Sequence, residues 1–200
     1  MKNILVITAS IFGQDGQSSL LVDKTLASLK AQHPAATVTR RDLAADPVPH
    51  LSADRFGALL SKEKDRTAEQ QAVLDYADTL LAEVLDADAI VLGVPMYNFG
   101  IPSALKAYFD HIARAGVTFR YTENGPVGLL ADRPVYVLAA RGGLYEGTPM
   151  DTQTPYIRAF LGFLGLSDVH FVYAEGLNMG DDRKHKALDK ALTNIDALTA

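Results

Sequence analysis

The chain has 200 residues, 48% of them hydrophobic, a formal net charge of −5 and no cysteine. That length suits one domain with a sizeable core, and the missing thiol excludes cysteine nucleophiles, iron–sulfur clusters, Cys-based zinc sites and a disulfide framework. Lys and Arg are scattered rather than striped, so no nucleic acid is expected as partner. No run approaches the roughly 18 apolar residues of a membrane span, and Met1-Lys2-Asn3-Ile4 leads straight into strand pattern, so a cytoplasmic protein with no membrane partner is expected.

Asn3 to Ala9 (NILVITA) is a compact apolar run. After a polar loop, Leu21, Thr25, Leu26 and Leu29 recur at helical spacing. Thr37 to Leu43 alternates, with Val38 against Arg40 and Arg41, as an edge strand does when one side is wetter. Residues 44 to 66 carry Pro47, Pro49, a short helix over Ala53 to Leu60 and the charged Lys62-Glu63-Lys64-Asp65. This connection is longer than α/β units need, which marks it as a lid or an interface element. Thr67-Ala68-Glu69-Gln70 has capping-box spacing, and Val73, Tyr76, Ala77, Leu80, Leu81 and Val84 then follow the helical period.

Ala89 to Val94 is a continuous apolar run, the pattern of a strand covered on both faces. It breaks at Pro95-Met96-Tyr97-Asn98-Phe99-Gly100-Ile101-Pro102 into aromatic, amide and imino side chains. Pro102 suits the first turn of a helix, and Ile101 is pushed towards extended backbone. Leu105, Tyr108, Phe109 and Ile112 make one apolar helix face. Val117 to Tyr121 reads as an extended piece followed by a turn at Thr122 to Pro126. A fourth strand is expected over Val135 to Ala140, a helix over Thr154 to Leu164, a fifth strand over Val169 to Tyr173 and a last helix from about Arg183 to Leu198.

Five apolar strands separated by helices give an α/β fold, a doubly wound parallel sheet with helices on both faces. A polar second strand fits strand order 2-1-3-4-5, the flavodoxin-like order, in a single domain over residues 1–200. Ligands of such sheets bind at the carboxyl ends of strands 1 and 3.

Three loops meet at that edge. Ser10 to Ser19 offers hydroxyls and backbone amides where a helix begins, a site for a phosphate, and it holds no Lys or Arg, which favours a monoester over a triphosphate. Ser and Gly also cap ordinary helices, so this loop alone leaves phosphate binding and plain capping open. Met96, Tyr97, Asn98 and Phe99 offer aromatic packing and an amide. Gly142 and Gly143 either let backbone approach a flat ligand or form a plain tight turn. Together the loops describe a flat heteroaromatic ring with a phosphate tail, which flavin mononucleotide matches. The histidines (His33, His50, His111, His170, His185) are dispersed, so no metal is expected, and no G-x-S-x-G elbow is present. Asp110 and His111 are helix neighbours that point in different directions.

Pro95-Met96-Tyr97-Asn98-Phe99, the block Ala113 to Pro126, and Arg141-Gly142-Gly143 resemble the bacterial FMN-dependent NADH azoreductases, also called FMN-dependent NADH:quinone oxidoreductases. The resemblance runs over essentially the whole chain, including Arg41-Asp42-Leu43-Ala44 and Phe160-Leu161-Gly162-Phe163. It implies a homodimer with FMN bound at the subunit interface, NADH or NADPH as electron donor, and quinones or azo compounds as acceptors in a ping-pong cycle with no catalytic side chain. It places FMN contacts at Ser10, Gly16, Gln17, Ser18, Met96, Tyr97, Asn98, Phe99, Ala140, Arg141, Gly142 and Gly143. Gly16 and Ala140 stand where serine is often found, so contacts there are expected through backbone. Phe119, Tyr121 and Phe163 are expected to close a substrate pocket from the other chain, with packing the alternative. A flavodoxin-like single-electron carrier is the competing reading.

Overall fold

Each strand of the computed structural model, which describes residues 1–199, falls on a stretch expected to be strand or extended, with one exception. In chain order they are β1 (Asn3–Thr8), β2 (Thr37–Asp42), β3 (Ala89–Pro95), β4 (Phe119–Thr122), β5 (Gly125–Gly128), β6 (Val135–Ala140) and β7 (Val169–Ala174). Five of them pair in parallel in the order β2-β1-β3-β6-β7, while β4 and β5 form a separate antiparallel hairpin. The flavodoxin-like order is therefore present, with β6 and β7 as its fourth and fifth strands. The exception is β5, Gly-Pro-Val-Gly, whose glycines and proline do not read as strand.

The helices are α1 (Gln17–Gln32), α2 (Ala53–Leu60), α3 (Ala68–Asp86), α4 (Ser103–Ile112), α5 (Gln153–Leu164) and α6 (Asp181–Leu198). The alternation of side chains along each strand sorts them into two layers. Leu5 and Ile7 share a core with Leu80 and Val84 of α3, Leu105, Phe109 and Ile112 of α4 and Ile157 and Leu161 of α5. Ile4 and Val6 face the opposite way, onto Leu21, Leu26 and Leu29 of α1 and Ala191 and Ile195 of α6. Every residue of β3 is buried, as a central strand with both faces covered requires.

β2 is the outer strand beside β1 and has no buried residue. Arg40 pairs with Asp23 at 2.7 Å, and Arg41 donates from Nε to Glu83 at 2.9 Å and reaches Asp46 at 3.2 Å. The following connection is pinned rather than loose. Leu43 and Val48 are buried in the core, α2 packs against α3, and Arg66 donates to the Ser61 carbonyl at 2.9 Å and to Gln71 at 2.8 Å. The capping box forms as expected, Gln70 N–H donating to Thr67 Oγ1 at 3.2 Å and Thr67 N–H to Gln70 Oε1 at 3.0 Å.

Most element ends move by a residue or two from expectation, and two boundaries differ in kind. Pro102 stands at the N-cap of α4 rather than in its first turn, with extended ψ of 139°, and its carbonyl accepts the Lys106 N–H at 3.0 Å. The extended piece begins at Phe119, because Val117 and Thr118 turn back to donate to the Arg114 carbonyl. The hairpin then sits on the end of α5 by backbone contact. A Cβ on Gly128 would lie 2.1 Å from Gly165 N and 2.3 Å from Leu164 C, so only glycine fits.

Candidate active site

The carboxyl edge of β1, β3 and β6 brings the three loops together, each held by identifiable contacts. In the first, Ser10 is buried and its Oγ accepts the Phe12 N–H at 3.2 Å, while Ser19 Oγ donates to the Gly13 carbonyl at 2.7 Å. Gly16 is the N-cap of α1 and supplies no side-chain cap. In this α1 resembles α4, α5 and α6, and differs from α2 and α3, which are capped by Ser52 and Thr67. The first turn of α1, with Gln17 and the buried Ser18, therefore presents amides to an anion beside Ser10. Gly16 is more than a serine lacking its hydroxyl. A Cβ there would lie 2.1 Å from Ser10 Oγ and 2.6 Å from Ser10 Cβ, so the placement of Ser10 demands glycine.

In the second loop, Met96 N–H donates to the Ala140 carbonyl at 2.9 Å, extending the sheet by one residue. Tyr97 and Gly100 then exchange main-chain bonds, Tyr97 N–H to Gly100 O at 3.2 Å and Gly100 N–H to Tyr97 O at 2.9 Å. Asn98 and Phe99 between them have φ of 49° and 63°. This is a two-residue hairpin turn of the mirror-image type, which needs left-handed backbone at both positions. Asn tolerates that region; Phe does not, at a cost of about 1–2 kcal/mol. Strain of this kind persists where surrounding contacts over-determine it.

Those contacts come from the start of α5. Gln153, 1% exposed, donates from Nε2 to the Pro95 carbonyl at 3.0 Å and the Gly100 carbonyl at 3.3 Å, and the Thr152 hydroxyl donates to the Phe99 carbonyl. The Tyr97 hydroxyl accepts the Ile11 N–H at 3.2 Å, joining the second loop to the first. The Phe99 ring meets Tyr145 edge-on at 5.5 Å, joining it to the third.

Arg141 is the surprise of the third loop. Its guanidinium is turned inward and fully buried, donating from Nε to Gln153 Oε1 at 3.2 Å, from Nη1 to Glu175 at 3.0 Å and from Nη2 to Asp151 at 3.0 Å and Thr154 at 2.9 Å. It also lies 4.8 Å from the Tyr173 ring centroid. The side chain is thus an organiser of the loops, and only the main chain of Arg141 is left for a ligand. That main chain, with Gly142 and Gly143, is fixed by N–H donors from Leu177 (3.1 Å), Asn178 (3.0 Å) and Gly176 (2.8 Å). Burial pushes the Asp151 carboxyl up, but donors from the Thr154 N–H, the Thr154 hydroxyl and Arg141 outweigh it and hold the group below the usual carboxylate range.

A cavity of about 440 Å³ lies behind the left-handed turn, between Gly100, Ile101, Lys106, Thr152 and Tyr156, with His50 of the 44–66 connection on its wall. The aromatics expected to close a pocket from the other chain lie away from these loops in their own chain. Phe119 is buried in the core with its ring 4.2 Å from that of Phe163, and Tyr121, 75% exposed, meets it edge-on at 5.6 Å. Phe163 is ten residues along α5 from Gln153, a rise of about 15 Å, so within one chain these rings do not reach the loops. Sequence reasoning missed Gln153, Thr152, Glu175 and Tyr145. The available signal was Asp151, one residue before the N-cap Thr152, whose carboxylate accepts the Thr154 N–H at 3.0 Å and so marks the 151–154 segment as a helix start at the site edge.

A family model described as flavodoxin-like fold matches residues 2–198. An FMN-dependent NADH:quinone oxidoreductase of Alcanivorax borkumensis is 58% identical over 197 residues, 98% of this chain and 100% of its own length. One of the same name from Cellvibrio japonicus is 58% identical over 196 residues, 98% of each. Among solved structures, an FMN-dependent NADH-azoreductase of Bacillus anthracis in complex with FMN superposes with a TM-score of 0.90 at 30% identity, covering 100% of this chain and 98% of that one.

Proposed function

The chain belongs to the family of the FMN-dependent NADH:quinone oxidoreductases, and from that membership and the geometry of the three loops we propose that it binds FMN and reduces quinones and azo compounds with NADH or NADPH. The observation that carries the reading is the convergence of an uncapped helix N-terminus, a strained turn clamped from behind and two glycines whose carbonyls are fixed by main-chain bonds. The residues fit the cofactor. Its phosphate suits the first turn of α1 with Ser10, Gly16, Gln17 and Ser18, where neutral donors and the helix dipole balance a monoester. Its ring suits Met96, Tyr97, Asn98 and Phe99 on one side and the main chain of Ala140 to Gly143 on the other.

Bound FMN would supply the redox chemistry, a two-electron hydride transfer via its N5 between nicotinamide donor and acceptor in a ping-pong cycle. The protein binds and orients. Tyr97 ties the turn to the phosphate loop, Asn98 offers an amide to the ring edge, and Phe99 and Tyr145 present aromatic surface to a flat acceptor. No side chain is required as nucleophile. The 44–66 connection places His50 beside the cavity behind the turn and is proposed to bound the substrate pocket.

The reading includes a homodimer. Of the three aromatics, Tyr121 is exposed and Phe163 partly buried, so these two can face the site of a second copy while Phe119 packs in the core behind them, and exposed Ile11, Phe12, Phe56 and Leu60 supply apolar surface for the contact. The cytoplasm supplies the nicotinamide donor and is the proposed location. A single-electron carrier is disfavoured by relatives named as oxidoreductases.

Reconstitution with FMN followed by steady-state NADH oxidation with menadione tests the reading. A bound-flavin visible spectrum and turnover without a separate reductase are expected. A protein that takes up no FMN overturns it, and one that binds FMN without turnover returns the electron carrier.

A further inference from the structure

The amide of Gln153 has only one orientation available. Arg141 carries donors and no acceptor, so the atom facing its Nε at 3.2 Å is the carboxamide oxygen. The NH₂ group then faces two carbonyls, Pro95 at 3.0 Å and Gly100 at 3.3 Å. Arg141 is itself immobilised by Asp151, Glu175, Thr154 and the face of Tyr173. Glu175 also accepts the N–H groups of Tyr145 at 3.1 Å and Glu146 at 3.0 Å, which carries the network into the third loop. One buried chain of donors and acceptors therefore runs from the 141–146 segment through Arg141 and Gln153 to both ends of the left-handed turn.

We propose that Gln153 is a positioning residue for the flavin: its amide, oriented by Arg141, fixes the Pro95–Gly100 backbone and so sets the affinity and redox potential of the cofactor held by that turn. The proposal rests on the FMN reading above. Gln153 is buried and offers nothing to a ligand directly, so its influence passes through the Pro95 and Gly100 carbonyls and the strained Asn98–Phe99 pair between them. Without those two donors the turn is closed by the Tyr97–Gly100 pair and the Thr152 hydroxyl, and the cost of left-handed Phe99 is free to relax it.

Two variants separate this role from plain stability. Gln153→Glu keeps an acceptor for Arg141 but sets carboxylate lone pairs against both carbonyls; Gln153→Met keeps the length and removes every polar contact. FMN dissociation constants from flavin fluorescence titration, and visible circular dichroism and two-electron midpoint potential at saturating FMN, are measured beside the melting temperature without cofactor. Expected are a loss of FMN affinity of roughly tenfold in both variants and an altered visible dichroism and potential, with Gln153→Glu retaining more of the melting temperature than Gln153→Met. Wild-type FMN affinity, dichroism and potential in folded Gln153→Glu overturn the proposal even if Gln153→Met does not fold. Failure of the wild-type protein to bind FMN overturns the flavin reading and this inference with it.

Discussion

The hydroxyl of Tyr97 accepts the main-chain N–H of Ile11 at 3.2 Å, so one side chain from the loop after β3 holds the loop after β1. Ile11 is exposed, and water can replace the lost acceptor. Tyr97→Phe is therefore expected to leave the melting temperature close to wild type. FMN affinity should fall by about 0.5–1.5 kcal/mol, the net value of one neutral hydrogen bond, because the phosphate loop and the ring loop lose their register. Flavin fluorescence titration beside thermal melting checks this, and an unchanged affinity would show that the two loops are placed independently.

Gly16 offers a test in which restoring a hydroxyl does harm. Gly16→Ser puts a Cβ 2.1 Å from Ser10 Oγ, and since Ser10 Cβ is also within 2.6 Å, rotating the hydroxyl away does not clear it. A loss of about 1–3 kcal/mol of stability is expected from this overpacking. Combining it with Ser10→Gly should recover most of the loss, and chemical denaturation of the single and double variants measures the recovery.

Asn98 combines a backbone role with a side-chain role, and two substitutions divide them. Both Asn98→Gly and Asn98→Ala remove the amide, but only glycine accepts φ of 49° without penalty. Turnover with menadione should fall in both. Stability should fall by about 1 kcal/mol in the alanine variant alone. Loss of stability without loss of turnover in Asn98→Ala would assign Asn98 to the turn and not to the cofactor.

Much of this arrangement was legible in the chain itself, and the omissions share one cause. The apolar runs at residues 3, 89 and 135 and the polar run at 37 predicted their strands and the sheet order, because burial on two faces, one face or neither writes a different pattern into a strand. The break after Val94 marked the ligand edge for the same reason. The inward turn of Arg141 left no such trace: an Arg-Gly-Gly reads the same whether its guanidinium faces a ligand or four buried acceptors contributed by residues 151 to 175. Gln153 is invisible for the same reason, since its partners Pro95 and Gly100 lie more than fifty positions away. The strand β5 was missed because backbone contact with Gly165 selects Gly128 and a left-handed φ of 105° selects Gly125, both against the strand preference of the residue type.

His111 makes the pH dependence of stability specific. It is fully buried, with Nδ1 bonded to the Ala107 carbonyl at 2.9 Å and Nε2 without a partner. Burial pushes its pKa below the ordinary 6.5, with Arg55 and Arg114 adding to the effect and the Ala107 carbonyl and Asp110 opposing it. The unfolded chain therefore takes up the proton first as the pH falls. The contribution of this site is fully present above 6.5 and drains away as the pH drops from 6.5 to the depressed folded value. Melting temperatures across that interval should decline in the wild-type protein and decline less in His111→Gln. Parallel declines would place the acid sensitivity at the carboxylates.

The charges along β2 also have a bearing on how the chain behaves when crowded. The free side of that strand, one of the sheet's two edges with β7, could template further strands, yet it carries Arg40 and Arg41, tethered to Asp23, Glu83 and Asp46. A foreign strand arriving there has to displace those ion pairs and bury guanidinium groups beside its own backbone. The contacts that anchor this edge strand thus also guard it against fibrous growth.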